Sequence, residues 1–177
     1  MKVLLAHNTF RITGGAEVFY HEVGRVLEKK GHDVAYFSCA DDGIDTRWNK
    51  YFPKTSNYKS SSFFEKIKSF PSMVYSSVAK NAMAHLIRDF KPDIIHAFAI
   101  YVKLTPAILD AAREANVPVV MSCNDYKHIC PNYKLYHHGK VCEECKGGHF
   151  YRAIINQCCH YSLTYSIASS VEAYVHN

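Results

Sequence analysis

Two groups of residues in this chain have types and spacings that chemistry could use. The first is Thr13-Gly14-Gly15-Ala16-Glu17, which follows the apolar run Val3-Leu4-Leu5-Ala6 and a short polar loop. Beyond it apolar residues recur at Ala16, Phe19, Val23, Val26 and Leu27, the spacing of one buried helical face. Glycines at a loop-to-helix junction let a ligand approach backbone N–H groups, and the positive end of the helix favours phosphate or another anion. A side chain at Gly14 or Gly15 would block that approach or strain a positive-φ turn. The same glycines would also serve a plain tight turn, so the pair alone does not single out a ligand.

The second group is Cys130, Cys142, Cys145 and the adjacent Cys158-Cys159. Cys142-x-x-Cys145 has the spacing of a metal knuckle, and the more distant ligands would come from Cys130 and one of the last two. Four thiolates around Zn²⁺ would pin a loop of about 27 residues that is poor in apolar side chains. Four protein ligands leave no open position for catalytic water, so the expected metal is structural, and no catalytic metal is expected. Adjacent residues on a helix point apart, so either Cys158 or Cys159 ligates, not both. His128 or His138 could replace one sulfur. Unconnected thiols, or a disulfide formed by air oxidation, are the alternatives.

The elements that must position these groups follow from hydrophobic periodicity. Residues 2–6 form a strand apolar enough for burial on both faces, as in a parallel sheet covered by helices. The helix after Gly-Gly ends at Gly31, and Val34-Ala35-Tyr36-Phe37 is a second strand. Residues 39–62 are polar, with Asp41-Asp42-Gly43 and Ser60-Ser61-Ser62 as loop signals. A helix is expected from about Ser72 to Phe90, closed by Pro92 and followed by strand Asp93-Ile94-Ile95-His96-Ala97. Thr105-Pro106 opens a helix, and Pro118-Val119-Val120-Met121-Ser122 is the next strand. A last helical pattern runs from Phe150 to about Tyr174. Strands alternating with helices predict an α/β fold with a Rossmann-like, open, mostly parallel sheet and helices on both faces, in a single domain over 1–177 with a Cys-rich loop at 123–149. Ligands of such sheets sit beyond the carboxyl ends of the strands, which gathers His7-Asn8, Cys39, His96-Phe98 and Asn124-Asp125 around one crevice.

The 177 residues carry a net charge of +5, and the excess is local. Eight Lys/Arg between positions 50 and 91 (Lys50, Lys54, Lys59, Lys66, Lys68, Lys80, Arg88, Lys91) face only Glu65 and Asp89, a balance of +6. Such a stretch suits peripheral contact with an anionic membrane surface, or is a solvated face. No run of 18 apolar residues is present, so no spanning helix is expected. Met1-Lys2 leads into a short apolar run and then polar His7-Asn8-Thr9, unlike a signal peptide, which predicts a cytoplasmic protein with reduced thiols.

Gly14-Gly15-Ala16-Glu17 after a first strand, Pro92-Asp93-Ile94-Ile95-His96, and Pro118-Val119-Val120-Met121-Ser122 leading to Asn124-Asp125 occur in one order and register. Together they resemble the N-terminal domain of GT-B fold glycosyltransferases of the GT4-like family, which includes sucrose synthase-type and lipopolysaccharide or mannosyl transferases. Asp125-Tyr126…Ile129-Cys130-Pro131 followed by Cys142…Cys145 looks like a cysteine-bearing subset of it. The resemblance implies an enzyme that transfers a sugar from a nucleotide-sugar co-substrate, with retention, to a glycan or lipid-linked acceptor. It implies acceptor contacts from the N-terminal domain, at Asn8, Glu17, His96, Asn124, Tyr126 and His128. It implies donor-phosphate contacts at Gly14, Gly15 and Ala16, and makes Asp125 the candidate catalytic carboxylate. The nucleotide-holding C-terminal domain, with its pair of spaced glutamates, is not found in this sequence, so the chain alone is expected to be inactive. Two positions depart from the family pattern: Asn124 stands where His is common, and Phe98 where a second His is frequent.

Two other functions compete. A zinc-containing nucleic-acid-binding or interaction module would interleave Lys/Arg with the cysteines, yet the basic residues peak well upstream, so no nucleic-acid partner is expected. A dinucleotide-dependent enzyme domain needs Gly-x-Gly-x-x-Gly directly after the first strand, and here the glycines come eight residues later.

Overall fold

Val3, Leu4, Leu5 and Ala6 carry no polar side chain toward water, and the strand they build, β1 (Lys2–His7), is buried from Val3 onward. The computed structural model describes residues 1–54, 71, 72 and 74–176. Within them the chain forms two compact units, Met1–Asn124 and Asp125–Asn177.

In the first unit β1 is joined by β2 (Asp33–Phe37), β3 (Ile94–Phe98) and β4 (Val119–Ser122) in a wholly parallel sheet of order β2-β1-β3-β4. Leu5 pairs with Tyr36 on one side and His96 on the other, so β1 lies at the centre of the register. Successive residues of a strand face opposite ways. Val3, Leu5, Val34 and Phe98 accordingly pack with Tyr20, Val23 and Leu27 of α1 (Gly15–Lys29). Leu4, Ala6, Phe37 and Ile95 pack on the other side with Met83 and Leu86 of α2 (Ser77–Phe90) and Ile108 and Ala112 of α3 (Ala107–Glu114). Each large side chain buried in these layers stabilises the fold by about 1.5–3 kcal/mol. The expected α/β sheet with helices on both faces is what forms. β4 ends the strand order, and its Val119 and Val120 remain 36% and 47% exposed.

Helix ends follow their local chemistry. Gly31, at φ 79°, closes α1: its N–H donates to Glu28 O and the His32 N–H to Leu27 O, a Schellman pair. The helix expected from about Ser72 is interrupted: Pro71, Ser72 and Val74 are helical, Tyr75 and Ser76 are not, and α2 starts at Ser77, where the Ser76 hydroxyl caps it by accepting from the Ala79 N–H at 3.2 Å. It ends at Lys91 in the left-handed region, just before Pro92. The expected loop signal at Ser60-Ser61-Ser62, with Lys59, Glu65, Lys66 and Lys68, lies outside the described residues.

The second unit holds a two-stranded hairpin, β5 (Tyr136–His137) with β6 (Lys140–Val141), and helices α4 (Tyr151–Ile155) and α5 (Leu163–His176). His138 and Gly139 both have positive φ, 48° and 78°, as a two-residue hairpin turn requires. The single helix expected over Phe150–Tyr174 is two. Gln157, His160 and Tyr161 adopt φ of 47°, 56° and 52°, which a right-handed helix cannot accommodate. Lys127 Nζ meets Glu172 Oε2 at 2.7 Å, the lysine mostly and the glutamate fully buried, tying the start of this unit to α5.

Candidate functional site

In the order β2-β1-β3-β4 the chain leaves β1 toward one side of the sheet and returns to build the other, so the strand order reverses between β1 and β3. At such a point the loops after the two strands diverge and leave a crevice. His7 ends β1 beneath it, buried, with Nδ1 2.8 Å from the Thr9 carbonyl and Nε2 without a hydrogen-bond partner among the described residues. Burial holds its imidazole below the ordinary value of 6.5, against the pull of the Thr9 carbonyl and of the Glu17 carboxylate.

The loop from β1 to α1 is fixed at two points. Phe10 inserts among Tyr20, Tyr36 and Phe52, ring centroids 6.4, 5.9 and 5.7 Å away. Its carbonyl is 2.6 Å from His21 Nε2, and Arg11 reaches the Asp42 carbonyl and lies 3.6 Å from the Asp41 carboxylate. So anchored, the loop delivers exposed Gly14 as the N-cap of α1, with no side chain capping the helix. Gly14 is extended, at φ −166°, and neither it nor Gly15 is among the positive-φ residues. The expectation that a turn forces these positions to be glycine is therefore corrected. A Cβ on Gly15 would meet nothing within 4 Å, and one on Gly14 only Glu17 Oε2 at 3.4 Å.

Asn8 is tied down at both polar ends. Its amide donates to the Tyr101 carbonyl, and its Oδ1 accepts from the Leu104 N–H at 3.0 Å. The loop it holds, after β3, contains three non-glycine residues at positive φ: Ala99, Val102 and Thr105 at 39°, 62° and 57°. Such backbone costs about 1–3 kcal/mol per residue and persists only where neighbours over-determine it. Thr105 adds to that by accepting the Ser76 N–H at 2.9 Å.

His96, on β3, lies with Nε2 2.8 Å from the Ser122 hydroxyl of β4 and its ring 4.0 Å from that of Phe98. Half-buried, it is held below its usual value by burial alone, so the imidazole is neutral near pH 7. Phe19 of α1 stands edge-on to Phe98 at 5.9 Å and is itself exposed. Sequence reasoning placed His7 at the crevice without giving it a role, and did not single out Ser122 or Phe19. Ser122 ends a strand at the sheet's carboxyl edge, which is the one signal that could have drawn it in. Asn124 closes this unit and is exposed.

Asp125, Tyr126 and His128 belong to the second unit. Asp125 Oδ1 accepts from the Lys127 N–H at 2.9 Å, an Asx turn that starts the unit. Tyr126 is exposed, and its carbonyl accepts from the Ile129 and Cys130 N–H groups at 3.0 and 2.8 Å. His128 lines a cavity of about 480 Å³ with Glu143, Lys146, Phe150 and Tyr174. A separate small cavity is lined by Cys130, Cys142, Cys145 and Cys158 together with His137. Burial, with Cys130 and Cys142 alongside, pushes the Cys145 thiol up to about 11. Burial, with Cys142 and Cys145 nearby, raises Cys158 to about 12. No group of three or more His, Cys, Asp or Glu is drawn together at metal-binding geometry among the described residues.

The basic stretch is partly matched where it is described: Lys80 pairs with Glu114 at 2.6 Å and Arg88 with Asp89 at 3.2 Å. Lys50 lies over the Tyr51 ring, 4.8 Å from its centroid. Among the described residues no helix is long and apolar enough to cross a membrane.

The family model of Glycosyltransferase Family 4 matches residues 13–159, from the Gly-Gly loop to Cys159. A protein of Klebsiella pneumoniae, described as an uncharacterized 42.6 kDa protein in the cps region, is 29% identical over 137 residues. That match covers 71% of this chain and 36% of the relative, so the chain spans about a third of its length.

Proposed function

The chain belongs to Glycosyltransferase Family 4, and from that premise we propose that it is the acceptor-side part of an enzyme moving a sugar from a nucleotide-sugar to a glycan or lipid-linked acceptor, with retention. The nucleotide would be held mainly by a domain outside these residues. The observation that supports this most is at Gly14-Gly15. Their backbone conformation does not demand glycine, and the space where a Gly15 side chain would sit is open. What remains to explain two exposed glycines at an uncapped helix start is close approach by a ligand. The N–H groups of Gly14, Gly15 and Ala16 would meet the diphosphate as negative charge develops on the leaving nucleotide, where fixed donors stabilise the transition state.

His96 is neutral and shares a hydrogen bond with Ser122, which suits it to orient an acceptor hydroxyl rather than a charged group. Glu17 and Asn124 would flank the acceptor. Asn8 acts one step back, by holding the loop that follows β3.

The experiment is a Gly15→Val substitution in the full-length protein. Nucleoside diphosphate release is measured over a panel of nucleotide-sugars with membrane-lipid and glycan extracts as acceptors. Wild type is expected to release nucleotide with at least one donor, and NMR of the product to show the donor's anomeric configuration. The variant is expected to melt at the wild-type temperature and lose about 10²-fold or more in rate, the scale of removing an oxyanion donor. No transfer by wild type across the panel, or a full rate in the well-folded variant, refutes the reading.

A further inference from the structure

The interior of the second unit is built unusually. Among the described residues its buried apolar side chains are Cys130, Cys145, Phe150, Ala153, Cys159 and Ala173, of which only Phe150 is large. A unit of about 50 residues with so little core ordinarily needs a covalent or metal staple. None of the five cysteines of this unit, Cys130, Cys142, Cys145, Cys158 and Cys159, is in a disulfide.

Four of them converge. Cys130, Cys142, Cys145 and Cys158 line one cavity of about 10 Å³, room for a single ion or water. Separate backbone features bring each one there. The Cys130 N–H donates to Tyr126 O at 2.8 Å and its carbonyl accepts from Tyr133. The Cys142 N–H extends the hairpin to Leu135 O at 2.9 Å. Cys145 accepts from the Gly148 N–H at 3.2 Å, and the Cys158 N–H donates to Ala153 O at 3.0 Å, just past α4.

An independent observation points to a ligand in the same place. His137 lines this cavity, is only 8% exposed, and has its Nε2 buried with no hydrogen-bond partner among the described residues. A buried polar nitrogen without a partner is destabilising unless something meets it.

We propose that Cys130, Cys142, Cys145 and Cys158 hold a structural Zn²⁺ in a tetrahedral thiolate site, with the Nε2–H of His137 donating a hydrogen bond to one of the sulfurs. Each thiol gives its proton to solvent on binding, so four protons are released for each metal bound. Four thiolates on Zn²⁺ leave a charge of −2, which a buried N–H donor offsets. The sulfurs are not yet at coordination geometry, but rotation about χ1 carries a thiol inward without moving its backbone. The arrangement also chooses between the two adjacent cysteines. Cys159 lies outside the lining of the cavity, and its backbone N–H donates to the Ser166 hydroxyl at 3.1 Å. It chooses among the histidines too: His128 lines the other cavity, and His138 packs tilted against the His137 ring at 3.9 Å without lining this one.

The test is elemental analysis of the chain purified under reducing conditions without contact with an immobilised metal. About one equivalent of zinc per chain is expected. Cys142→Ser and Cys158→Ser are expected to lose it and Cys159→Ser to keep it, while His137→Ala weakens binding roughly 10–100-fold. Should a serine variant fail to fold, Co²⁺ titrated into the zinc-stripped wild-type chain is read instead. Thiolate-to-cobalt charge-transfer bands with tetrahedral d–d absorption, saturating at one equivalent, support the site. Metal-free protein with an ordered hairpin, a mass showing a disulfide among the four, octahedral cobalt spectra, or zinc lost from Cys159→Ser but kept in Cys158→Ser overturns it.

Discussion

Asn8 commits both ends of its amide to the backbone of one loop, and that loop carries three residues in left-handed conformation. Asn8→Ala would leave the Leu104 N–H and the Tyr101 carbonyl without these partners. The expected loss is about 1–3 kcal/mol, seen as a lower urea midpoint at unchanged slope. Asn8→Asp keeps the bond to Leu104 but sets a carboxylate oxygen against the Tyr101 carbonyl, so it should cost at least as much. An unshifted midpoint in Asn8→Ala would mean the loop is held by other contacts. At Asp125 the question is whether the carboxylate does more than form its turn with Lys127. Asparagine forms the same turn but cannot carry charge. Asp125→Asn is therefore expected to melt like wild type and, if the carboxylate touches reacting groups, to lower the full-length transfer rate by about 10²-fold or more. A full rate assigns Asp125 to the turn alone.

Helix α1 uses its glycines for two different purposes. Gly15 faces open space, whereas a Cβ on Gly24 would fall 2.0 Å from the Tyr36 hydroxyl and 2.7 Å from its Cζ. Gly24 thus sets how closely α1 approaches β2, and Tyr36 fills the gap, half-buried, its phenol pushed up to about 12 by burial and by Glu28. Gly24→Ala should destabilise by about 1–3 kcal/mol through overpacking. Tyr36→Val in the same chain should recover most of that loss, a coupling that a denaturation double-mutant cycle measures directly. Gly15→Ala, on the same helix, is expected to be neutral within about 0.5 kcal/mol. Additive effects of Gly24→Ala and Tyr36→Val would show that the contact is not what makes glycine necessary.

For the molecule as a whole, acid should act through its buried histidines. His7 and His96 are both held below 6.5 by burial, His7 with Tyr20 packed 5.3 Å away and with Glu17 opposing and His21 reinforcing the shift. Between the folded and unfolded pKa values the unfolded chain binds more protons, so stability rises with pH there. Stability is thus constant above about pH 6.5, falls as the pH drops below it, and levels off once the folded histidines protonate. Melting temperature followed from pH 8 to pH 5 reads this, and His7→Gln should flatten part of the decline. A decline of the same steepness in that variant would place the acid sensitivity elsewhere.

Periodicity determined most of the first unit, because its strands are mostly apolar and its helices carry one apolar stripe. The order of elements, Gly31 as the end of α1 and Pro92 as the stop after α2 were all legible in local chemistry. The Gly-Gly junction was legible too, though not why it is glycine, since φ is a property of the folded loop and not of the residue name. The strand order decided where β1 and β3 diverge, and with it the pairing of His96 with Ser122 across 26 residues. No local pattern encodes such a partner, because it depends on which strands become neighbours. The break between α4 and α5 was hidden for a related reason: Gln157, His160 and Tyr161 have no sequence signature for positive φ, and only packing holds them there. The cysteines show both sides at once. Their spacing marked Cys130, Cys142 and Cys145 as a set, while the choice of Cys158 over Cys159, and of His137 over its neighbours, came from which side chains the tertiary fold turns toward one small cavity.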